Sequence, residues 1–290
     1  MKFYIADAFT NKLFGGNTAG IVILPEGNDF PSDHVMMKIA GELKYEQTAF
    51  IKVVGENRFN TRFFTPTMEV ALCGHATIAA FHCLKEAGLI CGDGICINRT
   101  LAETREIDVE NQFVMMDMGQ PVHLGLVKDD KELPHMYQIM GSSYTPDELP
   151  FLPHIISSGL PYIILPVRDK SELDNLKPNM KALRELSADY DVAGVHAIYI
   201  NPDRRGNVTA WCRNFAPLYK IDEQAATGTA NGALTYCLYL NNFIGKGSRC
   251  RIVQGEAMNR PSEIITEIDK EGTIKVGGAG RILVEGEINI

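Results

Sequence analysis

The sequence predicts an α+β fold of two pseudo-symmetric halves, each a curled, mostly antiparallel sheet around a central helix. The first supporting observation is an internal duplication. The segment RFFTP at Arg62–Pro66 is matched 151 residues later by RNFAP at Arg213–Pro217. A repeat of half the chain indicates two similar domains, because solenoid repeats are only about 20 to 50 residues long.

The second observation concerns the helical pattern that follows each copy. These patterns are Ala76–Ala87, which Gly88 ends, and Ala230–Asn241, and both are apolar on nearly every side. A helix on a protein surface keeps one polar face, whereas a helix that is apolar all round is buried. We therefore expect one buried helix at the centre of each half.

The third observation is that short β-rich runs account for most of the remaining pattern. Two further helical patterns cover Pro31–Leu43 and Ser171–Ser187, the latter holding one or two helices. The β-rich runs are Lys2–Ala8, Ala19–Leu24, Thr48–Val54, Arg62–Phe64 and Phe113–Met118 in the first half, and Ile155–Ser158, Tyr162–Val167, Ala197–Asn201, Val208–Asn214 and Arg251–Gln254 in the second.

The duplication also suggests where the domains divide. We expect an N-terminal half over residues 1–120 and a C-terminal half over 121–280, with the functional site in the cleft between them. Val122–Pro153 contains four prolines and several charges, so we interpret it as the connection plus surface loops. The glycine-rich segment Gly277–Gly280 would let a last strand at 281–290 return to the first half.

The composition excludes several classes of function. The 290 residues are 45% hydrophobic and carry a net charge of -8 without a basic stripe, so we expect no nucleic-acid partner. No segment approaches the roughly 20 apolar residues that span a bilayer, and no signal peptide is evident, which predicts a cytoplasmic protein without a membrane partner. The seven cysteines and seven histidines are scattered, so neither a disulfide framework nor a metal site is expected.

The loop before each central helix is the candidate functional element. Cys73–His75 and Thr227–Thr229 would present free backbone N–H groups at a helix N-terminus, where the helix dipole favours an anion. We therefore expect a small carboxylate-bearing metabolite as the ligand, with His75 contacting it or relaying a proton. The predicted binding residues are Asn17, Gly74, Thr227, Gly228 and Thr229.

The two arginines of the duplicated segments have two alternative roles. Arg62 and Arg213 either clamp a carboxylate of the ligand or form a structural ion pair that holds each strand. Their mirrored placement fits both interpretations equally.

Five segments together resemble the PhzF, or phenazine biosynthesis-like, family. The resemblance implies the diaminopimelate-epimerase-like fold, an active site in the cleft, no metal or organic cofactor, and commonly a homodimer. It also implies an isomerase that moves a proton with a carboxylate, as in the member that isomerises trans-2,3-dihydro-3-hydroxyanthranilate. The segments are Phe14–Gly20, Thr48–Phe50, Phe64–Thr77, Ser157–Pro161 and Ala226–Ala230, which occur in the family's order and span nearly the whole chain.

This chain has amides at the two acidic positions of the family. The pattern Ser-Glu-Thr-x-Phe falls on Glu46–Phe50 and places Gln47 at the glutamate, with Glu46 one residue early. The pattern Asp-Pro-x-Thr-Gly-Ser places Gln224 at the aspartate. An amide cannot cycle a proton at neutral pH, and loss of a general base costs about 10² to 10⁴ in rate. In a strand, neighbouring residues 46 and 47 would point to opposite faces.

Three hypotheses about function follow from these amides. In the first, Glu46, Asp222 or Glu223 replaces the family acid and the protein is a cofactor-independent isomerase or epimerase. In the second, it binds a small molecule without turnover. In the third, Cys73 has a lowered pKa beside His75 and acts as the base of a dehydratase or racemase of proline-like acids. The first hypothesis assigns proton handling to Glu46 or Gln47, His75, Asp222, Glu223 and Gln224.

Overall fold

The computed structural model describes residues 1–203 and 207–289. Two compact units are present: unit 1 is Met1–Asp117 with Gly277–Ile290, and unit 2 is Met118–Val276. Both contain helices and strands, which confirms the predicted α+β class. In the described part of the chain, every helix is too short or too polar to cross a membrane.

The described part of unit 1 contains two α-helices, seven whole strands and the larger parts of two more, β8 and β17, and the elements are numbered in chain order. The chain passes from unit 1 to unit 2 within β8 and returns within β17. The elements are β1 (Lys2–Ala8), β2 (Asn17–Ile23), α1 (Asp33–Leu43), β3 (Thr48–Gly55), β4 (Arg58–Phe64), β5 (Glu69–Val70), α2 (Gly74–Glu86), β6 (Gly94–Arg99), β7 (Thr104–Glu110), β8 (Phe113–Gly119) and β17 (Ile274–Glu287).

The strands of unit 1 pair mostly in the antiparallel sense. Strand β1 lies between β17 and β2 and pairs with both in antiparallel register, with Lys2 opposite Glu287 and Ile23. Parallel pairs join β2 to β3 and β4 to β6, whereas β3–β4, β4–β5, β6–β7 and β7–β8 are antiparallel. The glycine-rich segment Gly277–Gly280 was expected to precede the last strand, but it lies inside β17, which pairs along the full length of β1.

Helices cover both faces of the sheet in unit 1. Helix α2 packs against β1, β2 and β3, and every residue from His75 to Leu84 is buried, which confirms the predicted central helix. Helix α1 belongs to a separate apolar cluster. Strand β2 is buried continuously along Ala19–Ile23. Successive residues of a strand point to opposite faces, so this continuous burial means that both faces of β2 are covered. The buried members of the α1 cluster are Val22, Leu24, Met36, Ile39, Ala40, Phe50 and Phe64.

The described part of unit 2 contains four α-helices and eight strands of its own. The elements are β9 (Val122–Leu126), α3 (Glu132–Ile139), β10 (His154–Ser157), β11 (Pro161–Pro166), α4 (Lys170–Asn175), α5 (Met180–Asp189), β12 (Gly194–Ile200), β13 (Ala210–Ala216), β14 (Ile221–Gln224), α6 (Gly228–Leu240), β15 (Ser248–Gln254) and β16 (Ser262–Ile268).

The internal order of unit 2 repeats that of unit 1. Antiparallel pairs join β10 to β11, β12 to β13, β13 to β14 and β15 to β16, and parallel pairs join β11 to β12 and β13 to β15. Helix α6 has the same 13-residue length as α2 and packs against β10, β11 and β16. The sequence repeat is therefore a repeat of structure.

The interpretation of Val122–Pro153 as connection and surface loops is wrong. Strand β9 pairs with β10, and α3 buries an apolar face in the core of unit 2. Pro134 concealed this helix in the sequence, but it lies in the first turn, where a missing N–H breaks no helical hydrogen bond. The buried residues of α3 are Leu133, Met136, Tyr137 and Ile139.

The arginines of the duplicated segments form ion pairs within their own units. The Arg62 guanidinium donates to both oxygens of Glu69 at 2.8 and 2.6 Å, and a further bond reaches Asp33. Arg213 donates to both oxygens of Glu223 at 2.8 Å. A third nitrogen of Arg213 donates to the backbone carbonyl of Leu176 at 2.9 Å. These contacts support the structural ion-pair interpretation.

We expect Arg213→Ala to destabilise the protein by about 3 kcal/mol, since it leaves the Glu223 carboxylate and several carbonyl groups without their donor. The Arg213 side chain is only 11% exposed. Arg249→Ala is the control, because that side chain is 58% exposed in its pair with Glu267 and should cost about 0.5 kcal/mol or less. Urea unfolding measures both, and equal losses would contradict the structural role of Arg213.

Buried histidines predict that stability falls as the pH is lowered from neutral. Burial, assisted by the charge of His123, lowers the pKa of His154 to about 4, and burial lowers the pKa of His196 to about 3. The unfolded chain binds these protons near pH 6.5 and the folded chain does not, so stability is present above pH 6.5 and declines below it. Unfolding free energies at pH 7.5 and 5.0 should differ by on the order of 1 to 2 kcal/mol per histidine.

The variant His154→Gln should reduce this pH dependence, whereas His34→Gln, at an exposed position, should leave it unchanged. An identical pH dependence in the wild type and His154→Gln would contradict the prediction.

Candidate functional site

The predicted anion-binding loop of unit 1 lies at the start of α2. Cys73 is the N-cap residue in an extended conformation (φ -145°, ψ 110°), and the helix begins at Gly74. The first backbone N–H groups of a helix have no partner inside it, so this end carries partial positive charge. The hydroxyl of Thr77 donates to the Cys73 carbonyl at 2.8 Å and holds the turn.

The loop of unit 2 has the same local geometry. Thr227 is the N-cap residue of α6 with φ -138° and ψ 103°, close to the angles of Cys73. In place of the threonine hydroxyl of unit 1, the Asn231 amide donates to the Thr227 carbonyl at 2.9 Å. Each unit therefore contains a helix N-terminus of the kind that favours an anion, as the sequence predicted.

The prediction that Cys73 has a lowered pKa is wrong. Burial raises the pKa of the Cys73 thiol to about 12. The backbone N–H groups of Ala76 and His75 act in the opposite direction, and the charge of Glu46 adds to the rise. The sequence showed the helix N-terminus but not the loss of solvent, and here desolvation of the thiolate outweighs the donors.

His75 is the titratable neighbour of this thiol. Its side chain is 6% exposed, and burial lowers its pKa to about 4. The Nδ1 atom lies 3.5 Å from the Sγ of Cys73. At neutral pH the imidazole is therefore uncharged, with one nitrogen able to donate a proton and the other able to accept one.

Glu46 lies in a bend and Gln47 in the irregular residue before β3, so the strand alternation expected for them does not apply. Glu46 is exposed, while the Oε1 atom of Gln47 is buried without a hydrogen-bond partner. The carbonyl of Gln47 accepts a hydrogen bond from the Gly20 N–H at 3.2 Å. A buried amide oxygen without a donor is costly, which makes Gln47 a candidate acceptor for a ligand.

The three polar residues at the end of β14 have different environments. Asp222 is exposed, and Glu223 is held by Arg213 as described above. The Oε1 atom of Gln224 accepts a hydrogen bond from the Thr227 hydroxyl at 2.8 Å. The ion pair therefore gives Glu223 a structural role, in place of the proton-handling role considered from the sequence.

Asn17 opens β2 opposite Ala8. It follows Gly16, which has φ +66°, and a Cβ atom there would collide with the Ala8 carbonyl oxygen. This turn therefore requires glycine, and it sets the position at which Asn17 enters the strand.

Two further polar residues beside the α6 loop were not singled out as site residues from the sequence. Ser158 is buried with its Oγ atom unpartnered, and it packs against Gly232 in α6. Gln254, at the end of β15, donates to the Gln224 carbonyl at 2.8 Å. Ser158 lies in one of the segments that carry the family resemblance, whereas no pattern in the sequence indicated Gln254.

Comparison with known proteins identifies the family. The family model described as phenazine biosynthesis-like protein matches residues 6–287. An uncharacterized isomerase of Escherichia coli, YddE, is 30% identical over 303 residues, which cover 99% of this chain and 97% of that protein. This relationship supports an isomerase or epimerase function in general terms.

Solved structures share the fold. The PhzF-family phenazine biosynthesis protein of Bacillus anthracis matches with a TM-score of 0.84 and 23% identity, covering 100% of this chain and 99% of that one. A probable proline racemase from Agrobacterium radiobacter, with bound carbonate, matches with a TM-score of 0.65 and 12% identity, covering 100% and 93%. With the family model matching nearly its whole length, this chain belongs to the phenazine biosynthesis-like, or PhzF, family.

Proposed function

We propose that the protein is a cofactor-independent isomerase that moves a proton on a small carboxylate-bearing metabolite. The observation that carries the proposal is the cluster at the start of α2. There a helix N-terminus suited to an anion lies beside a buried, uncharged His75, and the charge of Glu46 acts on the neighbouring Cys73 sulfur. The PhzF family and the isomerase relatives support the reaction class.

On this proposal the helix N-terminus binds the substrate carboxylate. Removing a proton from the adjacent carbon places negative charge on the carboxylate oxygens, and the positively polarised start of α2 at Gly74 stabilises that charge. Glu46 takes the proton, because Gln47 cannot ionise. The same proton returns at another carbon, so isomerisation consumes no co-reactant, and the neutral imidazole of His75 assists as donor or acceptor.

The hypothesis that Cys73 is the base has less physical support. A thiol with a pKa of about 12 is only about 10⁻⁴ ionised at pH 8. The equivalent position in unit 2 is Thr227, whose hydroxyl does not ionise at neutral pH. A pair of thiols is therefore absent from these two matched positions.

Thiol labelling tests the state of Cys73. With iodoacetamide at pH 8, we expect modification at Cys91, which is exposed, and protection of Cys73 and the other buried cysteines. Mass spectrometry of tryptic peptides assigns the modified positions, and Cys91→Ser should abolish the labelling. Modification of Cys73 at a rate similar to that of Cys91 would contradict the raised pKa.

Deuterium exchange tests the proposed reaction and the role of Glu46. Proton NMR in D₂O with a panel of cyclic and amino-acid carboxylates, including dihydro-hydroxyanthranilate and hydroxyprolines, should show deuterium entering a C–H position. Glu46→Gln should slow this exchange by about 10² to 10⁴, the usual effect of losing a general base. Glu42→Gln, an exposed change in the nearby helix α1, should leave the rate within about twofold of wild type.

One observation favours a second candidate, a binding protein without turnover. Amides occupy both positions where the family pattern has acids, and the Gln224 oxygen is already engaged by Thr227. Measurable ligand binding by saturation transfer, without deuterium incorporation for any compound, would favour this candidate over the isomerase. Exchange that survives in Glu46→Gln would keep the isomerase and remove Glu46 from its mechanism.

A further inference from the structure

Two histidines of unit 2 form a hydrogen-bonded pair that the proposed reaction does not use. His123 lies on β9 and is exposed, whereas His154 is the first residue of the neighbouring strand β10 and is 7% exposed. The Nε2 atom of His123 lies 3.1 Å from the Nδ1 atom of His154, and the ring centroids are 5.0 Å apart. One ring of the pair is therefore in contact with water, and the other depends on protein partners.

Asn241, which follows the last residue of α6, determines which nitrogen of His154 carries the proton. The Nδ2 atom of Asn241 lies 2.9 Å from the Cys237 carbonyl oxygen, which can only accept, so this end of the amide is the donor. The same Nδ2 atom lies 3.0 Å from the Nε2 atom of His154 and donates its second proton there. The Nε2 atom of His154 is therefore an acceptor, and the neutral ring carries its proton on Nδ1.

The hydrogen bonds of the pair consequently run in one direction. Asn241 donates to His154, and His154 donates through Nδ1 to the Nε2 atom of His123. A further proton on the Nε2 atom of either ring would face another donor. Moving the His154 proton from Nδ1 to Nε2 would only transfer this conflict to the Asn241 amide. Every protonated form of the pair in its present geometry therefore loses at least one hydrogen bond.

The elements packed around His154 supply no opposite charge for a protonated imidazole. Strand β10 lies between β9 and β11, and α6 packs against it. None of these four elements, β9, β10, β11 and α6, contains Asp, Glu, Lys or Arg. The ring of Phe151 packs edge-on against His154, with 5.5 Å between the centroids. The other titratable residues of the four elements are phenols and a thiol, uncharged at neutral pH: Tyr162, Tyr236, Cys237 and Tyr239.

The two rings differ in how readily they accept a proton. Burial, assisted by the charge of His123, lowers the pKa of His154 to about 4. His123 is exposed, so its ring can turn into water and carry both N–H groups solvated. As the pH falls, His123 therefore takes up the proton first and His154 stays neutral. The hydrogen bond between the rings is present above the ordinary histidine range, near pH 6.5, and is lost below it.

We propose that the His123–His154 pair is a pH-sensitive clasp that joins β9 to β10 at neutral pH and opens when His123 takes up a proton in mild acid. The backbone pairing of these strands has an irregular register between Ile155 and Ile156, which weakens the ladder beside the pair. Strand β9 is the first strand that lies wholly in unit 2 after the polypeptide leaves unit 1 at Asp117. The clasp thus anchors the connecting segment, and it does so independently of the proposed reaction.

Nitrogen-15 NMR of the histidine side chains tests the direction of the hydrogen bonds. At pH 7.5 the signals of His154, assigned by their loss in His154→Gln, should show a protonated Nδ1 and an unprotonated Nε2. On lowering the pH, His123 should become doubly protonated before His154 does. The opposite tautomer of His154, or protonation of His154 first, would overturn the proposal.

Hydrogen–deuterium exchange at pH 7.5 and 5.0 tests the opening of the clasp. Peptides that cover β9, corrected for the intrinsic pH dependence of exchange, should lose about tenfold in protection at pH 5.0 in the wild type. His123→Gln keeps an acceptor for His154 but cannot ionise, so its β9 should stay protected at both pH values. His34→Gln, at an exposed position of α1, should behave as the wild type does.

Asn241→Asp should reverse the response. Its carboxylate accepts a proton from the Nε2 atom of His154, which frees Nδ1 to accept from a protonated His123, so β9 should remain protected at pH 5.0. The proposal is overturned if β9 opens equally in the wild type and His123→Gln, or if it opens in neither. Loss of protection throughout unit 2 at pH 5.0 would also overturn it, since that result indicates general unfolding by acid instead of a local switch.

Discussion

Burial of the two central helices along nearly their whole length is the constraint on which the rest of each unit depends. Side chains hold the turn that leads into each of these helices. In unit 1 the Thr77 hydroxyl donates to the carbonyl of the N-cap residue Cys73. In unit 2 the Asn231 amide donates to the Thr227 carbonyl, and the Gln254 amide oxygen accepts from the Thr227 N–H. The strands and outer helices exist around these cores because both faces of each sheet must be covered.

The same burial determines the chemistry of the first loop. It disfavours charge on both Cys73 and His75, raising the pKa of the thiol and lowering the pKa of the imidazole. On the proposed function, the positively polarised helix end binds the substrate anion, and the neutral His75 assists the proton transfer. Burial disfavours a thiolate at Cys73, since it raises the pKa of that thiol.

The two copies of the repeat keep some buried polar contacts and differ in others. Arg62 and Arg213 keep the same ion-pair role in both copies, because each must anchor the strand that leads to its loop. By contrast, Gln254 of unit 2 donates to the Gln224 carbonyl, whereas the corresponding residue of unit 1, Thr100, donates to the Glu103 carbonyl in a turn.

The sequence by itself determined the duplication, the two buried helices, the loop before each of them and the strands of the predicted β-rich runs, because these features depend on local periodicity and on residues close together in the chain. Strands β5, β6, β7, β9, β14 and β16 were not predicted. The helix α3 escaped because its proline lies in the first turn, where proline is tolerated. Only the tertiary structure decided the ionisation of Cys73 and His75, the ion pairing of Glu223 and the hydrogen bonds of Gln224. Those properties depend on desolvation and on partners such as Gln254, 30 residues away in the chain from Gln224, which no local pattern encodes.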